Sequence, residues 1–185
     1  MNSLCPYCGE GQANELDHYL PKESFAATSV HPANLVPACG DCNSKKLAYK
    51  PSIADPAVLH PYFDTAFSIP WLVAKVEQGP IGKPVVVFWV NLPVEDAVLQ
   101  SRVVRHMTVF KLYERFSVWA GQSLNNFATL LDSEVGRPMT LEEARIHLKR
   151  MAIQQSGGRA NSWEAAAHEA MRGSDWYLEE HLGLT

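Results

Sequence analysis

The sequence predicts an α+β chain: a small cysteine-stapled ββα module, then a β-hairpin, then a mostly α-helical region. Three observations carry this prediction. The four cysteines fall into two C-x-x-C pairs, Cys5 with Cys8 in "CPYCG" and Cys39 with Cys42 in "CGDCN". Short runs with strand-like alternation occupy the first half of the chain. From Val94 onward, apolar residues recur at three- and four-residue spacings.

The cysteines come first. The 143 residues after Cys42 contain none, and a C-x-x-C pair repeated once across a 30-residue gap is the spacing of a four-thiolate zinc site. The alternative is two redox-active or buried thiol pairs. In a zinc site each pair sits on a tight knuckle, with Gly9 and Gly40 easing the backbone where amides turn toward sulfur. About 50 residues bury little core, and ordering them costs about 1–2 kcal/mol of backbone entropy per residue. A structural zinc contributes on the order of 10 kcal/mol, enough to decide whether the module folds.

Between the cysteine pairs, two extended segments are expected at 15–20 and 34–38, separated by the loop "PKESFAATSVHPA". "NSKKLAYK" reads as a short helix stopped by Pro51. The connector "KPSIADPAVLHPYFD" carries Leu59, Tyr62 and Phe63, which call for burial, and His60 reads as its anchor. "WLVAKVE" and "PVVVFWV" form a hairpin around "QGPIGK". Helices follow at about 94–118 and 124–135. Thr140 with Glu143 makes a capping box, "SGGRAN" ends that helix, and Ser162 and Ser174 cap two short last helices, the second closed by Gly183. The expected domains are residues 1–60 and 61–185.

The stretch "ELDHYLPKES" sets Asp17 and His18 side by side in an alternating segment, where a plain polar-outside pattern does not explain them. A four-cysteine site draws the second knuckle toward the strand that bears this pair. Asn43, at the start of the helix after Cys42, comes with it. Asp17, His18 and Asn43 are thus able to converge as two oxygen donors and one imidazole.

The set "CPYC", "LDHYLPKES", "NLVPACGDCNSKK" resembles the HNH endonucleases of the ββα-metal fold, in the variant whose third signature residue is asparagine. The resemblance covers about residues 4–50. It implies that His18 is the general base that takes a proton from the attacking water, and that Asp17 and Asn43 hold one divalent metal against the scissile phosphate. It also implies that Asn34 bonds to backbone across the loop and orients His18. Oxygen donors of this kind suit Mg²⁺ or Mn²⁺, whereas the four thiolates suit Zn²⁺. The substrate implied is nucleic acid, DNA foremost. Small HNH proteins with a helical extension also resemble the nuclease members of bacterial antiviral pairs, whose partner is an ATPase. The rival reading is a non-catalytic zinc module that binds nucleic acid or protein.

Lys22, Lys45 and Lys46, with Lys50, are candidate phosphate contacts, and Arg102, Arg105, Lys111 and Arg115 form a second basic set on one expected helix. The alternative for both is a solvated face. The chain is formally at −4, and a protein that grips long DNA unaided normally shows a basic surface. An apolar fraction of 46% with 19% charged residues describes a folded chain. No apolar run approaches the roughly 20 residues of a membrane span, and the first residues lack a signal-peptide pattern. The expected location is the cytoplasm.

Overall fold

A computed structural model describes residues 4–47, 49–52, 56–93, 95–133 and 138–185. The chain clusters into two compact units, residues 1–67 with 94–112 and residues 68–93 with 113–185. The α+β prediction holds, and each unit contains one antiparallel strand pair.

In the first unit, β1 (Glu15–His18) pairs with β2 (Leu35–Ala38), with Asp17 opposite Val36 and His18 opposite Leu35. Helix α1 (Gly40–Lys46) follows the second knuckle and ends before Pro51. Cys39 caps it, its sulfur accepting from the Cys42 amide, so the helix start and the knuckle are one structure. The unit is completed by a helix from later in the chain, α2 (Ala97–Val109). Asp96 caps it through the amides of Val98 and Leu99. Its inward face carries Val103, His106 and Met107, all buried.

Two polar ties hold α2 in place. The Arg102 guanidinium forms two bonds of 2.6 Å to the Asp64 carboxylate and also donates to the carbonyls of Ala57 and Val58. The sequence reading offered Arg102 to a nucleic-acid backbone, but its donors are directed into the fold. His106 Nε2 lies 2.8 Å from the Tyr7 carbonyl, and the Tyr7 ring stacks on Phe110 at 4.5 Å. His60 anchors the connector, with Nε2 2.9 Å from the Ala33 carbonyl.

In the second unit, β3 (Leu72–Gln78) pairs with β4 (Pro84–Val90) in register from Leu72 opposite Val90 to Gln78 opposite Pro84. Ile81 and Gly82 take positive φ in the turn. Helix α3 (Leu112–Ser133) is buried along Phe116, Ala120, Leu124 and Phe127, a single stripe at helical spacing. Helix α4 (Leu141–Ser156) opens on the expected Thr140–Glu143 capping box. Helix α5 (Trp163–Arg172) is capped by Ser162, and Trp176–His181 forms a closing π-helical turn. The Asn161 carboxamide accepts from the amides of Trp71 and Leu72 and donates to the Ile69 carbonyl, tying β3 to the segment before α5.

The helices are divided differently from the sequence reading. The run expected over 94–118 breaks after Val109, because Lys111 adopts a left-handed φ of 51° where the buried Phe110 turns under Tyr7. Beyond the break, α3 is continuous through Gly121, where a restart near Leu124 was expected; an added Cβ there would meet nothing within 4 Å, so the glycine marks no close approach. The limits expected at Val94 and Val135 lie outside the described residues.

Burial pushes His106 down from 6.5 to about 4. With Nε2 donating to Tyr7, its buried Nδ1 has no partner, so a second ring proton would find no acceptor. A depressed histidine stabilises the fold above its unfolded pKa, and that contribution is lost as pH falls toward the folded value. The first unit should therefore lose about 3 kcal/mol between pH ~6.5 and ~4 from this residue alone. Denaturant unfolding against pH checks this, with the slope over that window reduced in His106→Gln.

Candidate metal centre and active site

The Sγ atoms of Cys5, Cys8, Cys39 and Cys42 lie within 4.8 Å of one another and all four residues are buried. Among the described residues this is the one cluster of three or more His, Cys, Asp or Glu side chains able to hold a metal. The Cys8–Cys39 separation is 3.9 Å, close to the edge of about 3.8 Å for a tetrahedron of sulfurs around zinc at ~2.3 Å. The Gly11 and Cys42 amides approach the Cys8 and Cys39 sulfurs at 3.4 Å. Hydrogen bonding from Cys42 and Cys5 holds the Cys8 thiol well below its ordinary range. A donor set of four buried sulfurs with amides turned toward them fits a zinc ion.

The glycines at the cluster differ in part from expectation. Gly9 takes φ 77° in the first knuckle. Gly40 serves another purpose, since a Cβ there would meet the Glu15 carboxylate at 2.7 Å. Gly11, which the sequence did not single out, passes so close to Cys39 that a Cβ would lie 2.7 Å from its sulfur.

Beside the cluster, β1 carries Asp17 and His18. Strand alternation turns Asp17 into the unit, where it is 3% exposed. Its Oδ2 accepts from the Tyr7 hydroxyl at 2.8 Å and its Oδ1 from Lys46 Nζ at 3.0 Å. The same ammonium donates to the His18 carbonyl at 2.7 Å. Burial, with the Asp17 charge adding to it, raises Tyr7 far above the ordinary phenol range and keeps it a donor. Burial lowers Lys46, opposed by Asp17. Lys46 was expected beside a substrate phosphate; its side chain is instead fully buried and its ammonium is engaged by Asp17 and His18. The physical reason is helical phase: Lys46 lies four residues after Cys42, so the cysteine that anchors α1 also turns Lys46 inward.

His18 is half-buried, and its Nε2 lies 3.0 Å from the Ser29 carbonyl. That contact makes Nε2 the protonated nitrogen and Nδ1 the basic one. Asn34 is buried, accepts from the Leu20 amide at 2.7 Å and donates to the carbonyls of Leu20 and Thr28. It thereby joins the two ends of the loop whose Ser29 carbonyl meets His18. Asn43 stands across from β1 and donates from Nδ2 to Glu15 Oε2 at 2.7 Å. Glu15, exposed at the start of β1, was missed in the sequence. Lys45 bonds Asp41 at 2.6 Å, Lys22 is exposed, and Lys50 lies over the Phe25 ring at 5.7 Å.

Hard oxygen donors for a divalent cation are present in Glu15, Asp17 and Asn43. Glu15 and Asn43 meet on the accessible side of β1 and fit such an ion. Asp17 does not present itself, because both its oxygens are engaged by Tyr7 and Lys46.

The family model that matches the chain is "HNH endonuclease", over residues 5–48, the segment that holds the four cysteines, Asp17, His18, Asn34 and Asn43. The likeness to that family is carried by residues 5–48. The chain is 32% identical over 139 residues to "Protein ea31" of Escherichia phage lambda, covering 71% of this chain and 45% of that protein. It is 35% identical over 69 residues to "Septu protein PtuB" of Bacillus thuringiensis, covering 35% of this chain and 26% of that protein. The chain thus spans less than half the length of these curated relatives. No solved structure matches it. No helix among the described residues is long and apolar enough to cross a membrane.

Three outcomes follow from the HNH module's geometry. Zinc removal, or Cys42→Ser, should unfold the β1–β2–α1 segment, read as loss of bound zinc together with loss of amide-exchange protection in residues 5–47. Lys46→Met leaves the Asp17 carboxylate buried without its counter-ion and should cost about 3–5 kcal/mol. Tyr7→Phe should cost about 1–3 kcal/mol. Denaturant midpoints of the zinc-loaded variants check both.

Proposed function

We propose that this chain is a metal-dependent endonuclease that hydrolyses phosphodiester bonds of nucleic acid, DNA foremost, with His18 as general base. The observation that carries the reading is the fixed tautomer of His18: Nε2 faces the Ser29 carbonyl, so Nδ1 is the nitrogen able to take a proton from water. A base whose ordinary pKa is near neutrality suits that task. Asn34 is a positioning residue, since it closes the loop that supplies the Ser29 carbonyl. When bound, Mg²⁺ or Mn²⁺ would neutralise charge developing on the phosphate oxygens. Asn43 and Glu15 would hold it on the accessible side of β1, and Asp17 would join them if Lys46 withdrew.

The match to the Septu protein PtuB supports a place in bacterial antiviral defence, and an ATPase is the partner proposed for it. The formal charge of −4 supports the same reading, since a partner then supplies affinity that a basic surface would otherwise give. Sequestration of Asp17 by Lys46 favours the second reading, a non-catalytic zinc module.

Plasmid cleavage in Mg²⁺ or Mn²⁺ separates the two. The nuclease reading expects His18→Ala to slow cleavage by about 10²–10⁴-fold with zinc content unchanged, and Asn43→Ala to raise the metal concentration needed for half-maximal rate. Asn43→His should shift the preference toward Mn²⁺, Co²⁺ or Ni²⁺. Cleavage equal in His18→Ala and the unaltered protein would remove His18 from the chemistry. Absence of cleavage in every metal, with and without the co-expressed genomic neighbour, would leave the binding module.

A further inference from the structure

Helices α3, α4 and α5 of the second unit line a cavity of about 370 Å³, well within the size range of small-molecule sites. Its walls are aromatic. Trp119 and Trp163 lie with ring centres 5.8 Å apart, and Phe127 stacks with His147 at 6.0 Å. Three carboxamides, Gln122, Asn126 and Gln155, also line it, and Gln122 donates to Asn126 at 2.8 Å on the exposed side of α3.

Two polar groups on α5 are unmatched. The Trp163 Nε1–H is sealed from solvent and has no acceptor. His168 is 7% exposed, and its Nδ1 lies 2.7 Å from the Glu164 carbonyl. That bond makes Nδ1 the donor and leaves Nε2 an acceptor that no described group meets. Burial lowers the His168 pKa, which keeps the ring neutral and the acceptor available. His168 lines the cavity, so its Nε2 acceptor is available to a donor placed there.

The charges lining the cavity narrow the class of ligand. Among the described residues no lysine or arginine lines it, and the one carboxylate on its wall, Glu164, is bonded to Ser162 and faces Arg159 at 3.5 Å. Phosphate and carboxylate ligands therefore find no partner. A neutral planar ring that carries both an acceptor and a donor on its edge does, because aromatic walls stack it, His168 Nε2 accepts from its edge, and carboxamides pair with such edges in two-bond fashion. We propose that this cavity is a nucleobase-binding site, occupied by a base of single-stranded nucleic acid or by a free nucleoside.

The proposal is independent of the chemistry assigned to the HNH module, and its test reads binding alone. The zinc-loaded His18→Ala protein is titrated with adenosine, guanosine, cytidine and uridine, and in parallel with single-stranded oligonucleotides, while tryptophan fluorescence is followed. Saturable quenching by at least one base is expected. His168→Phe, which keeps a ring but removes the acceptor, should weaken it about tenfold, as should Asn126→Ala on the exposed rim. Thermal unfolding of the rim variant should match that of its parent. Quenching by nucleosides assigns a free ligand, and quenching by oligonucleotides alone assigns a base within a strand. Absence of saturable quenching by every nucleoside and oligonucleotide would overturn the proposal. So would binding that neither substitution alters.

Discussion

Four sulfurs must meet at one point before anything else in the N-terminal unit has a place. Cys5 and Cys8 precede β1, while Cys39 and Cys42 follow β2 and open α1, so their approach within 4.8 Å closes the hairpin and fixes the helix against it. The strands are four residues each and the helix seven, too short to be stable alone. Gly11 shows how tight the closure is, since a Cβ there would collide with the Cys39 sulfur. Cys39 is both a member of the cluster and the cap of α1, which makes helix start and metal site inseparable.

From that closure follows a second contact that couples chemistry to stability. Because Cys42 is anchored, Lys46 points inward and meets Asp17, whose other oxygen is held by Tyr7 from within the first knuckle. The buried pair is compensated by hydrogen bonds on both sides, the condition under which burial of charge is tolerated. Its consequence for the site is a division of the donors: Asp17 is internal, whereas His18, Glu15 and Asn43 remain within reach of solvent. The α2 helix reinforces the arrangement through His106, which holds the Tyr7 carbonyl, and Phe110, which stacks on its ring.

The second unit depends on apolar packing instead. The α3 stripe from Phe116 to Phe127, the Phe88 ring of β4 against Phe116 at 5.7 Å, and the Asn161 ties to β3 form its frame. It has no cysteine, and among the described residues no other metal-binding cluster. Among its described residues the Trp163 indole N–H is the one buried side-chain polar atom without a partner.

Much of this was legible in the sequence. Two C-x-x-C pairs point to a thiolate cluster because each pair sets two sulfurs on one tight turn, as zinc coordination requires. Strand-like runs around a turn placed β3 and β4, and the reciprocal Thr140–Glu143 pair placed the start of α4, since both are local rules. Glu15, Gly11 and Lys46 were missed or misread because their roles arise between segments distant in the chain. Lys46 meets Asp17 across 29 positions, and Asn43 meets Glu15 across 28, and no local pattern encodes either approach. The break at Lys111 likewise follows from Phe110 meeting Tyr7, 103 residues earlier. The sequence by itself therefore determined which groups the chain owns and which of them a metal would gather. Only the tertiary structure decided which way each one faces, because burial and ion pairing are set by the whole packed unit and not by any residue's neighbours along the chain.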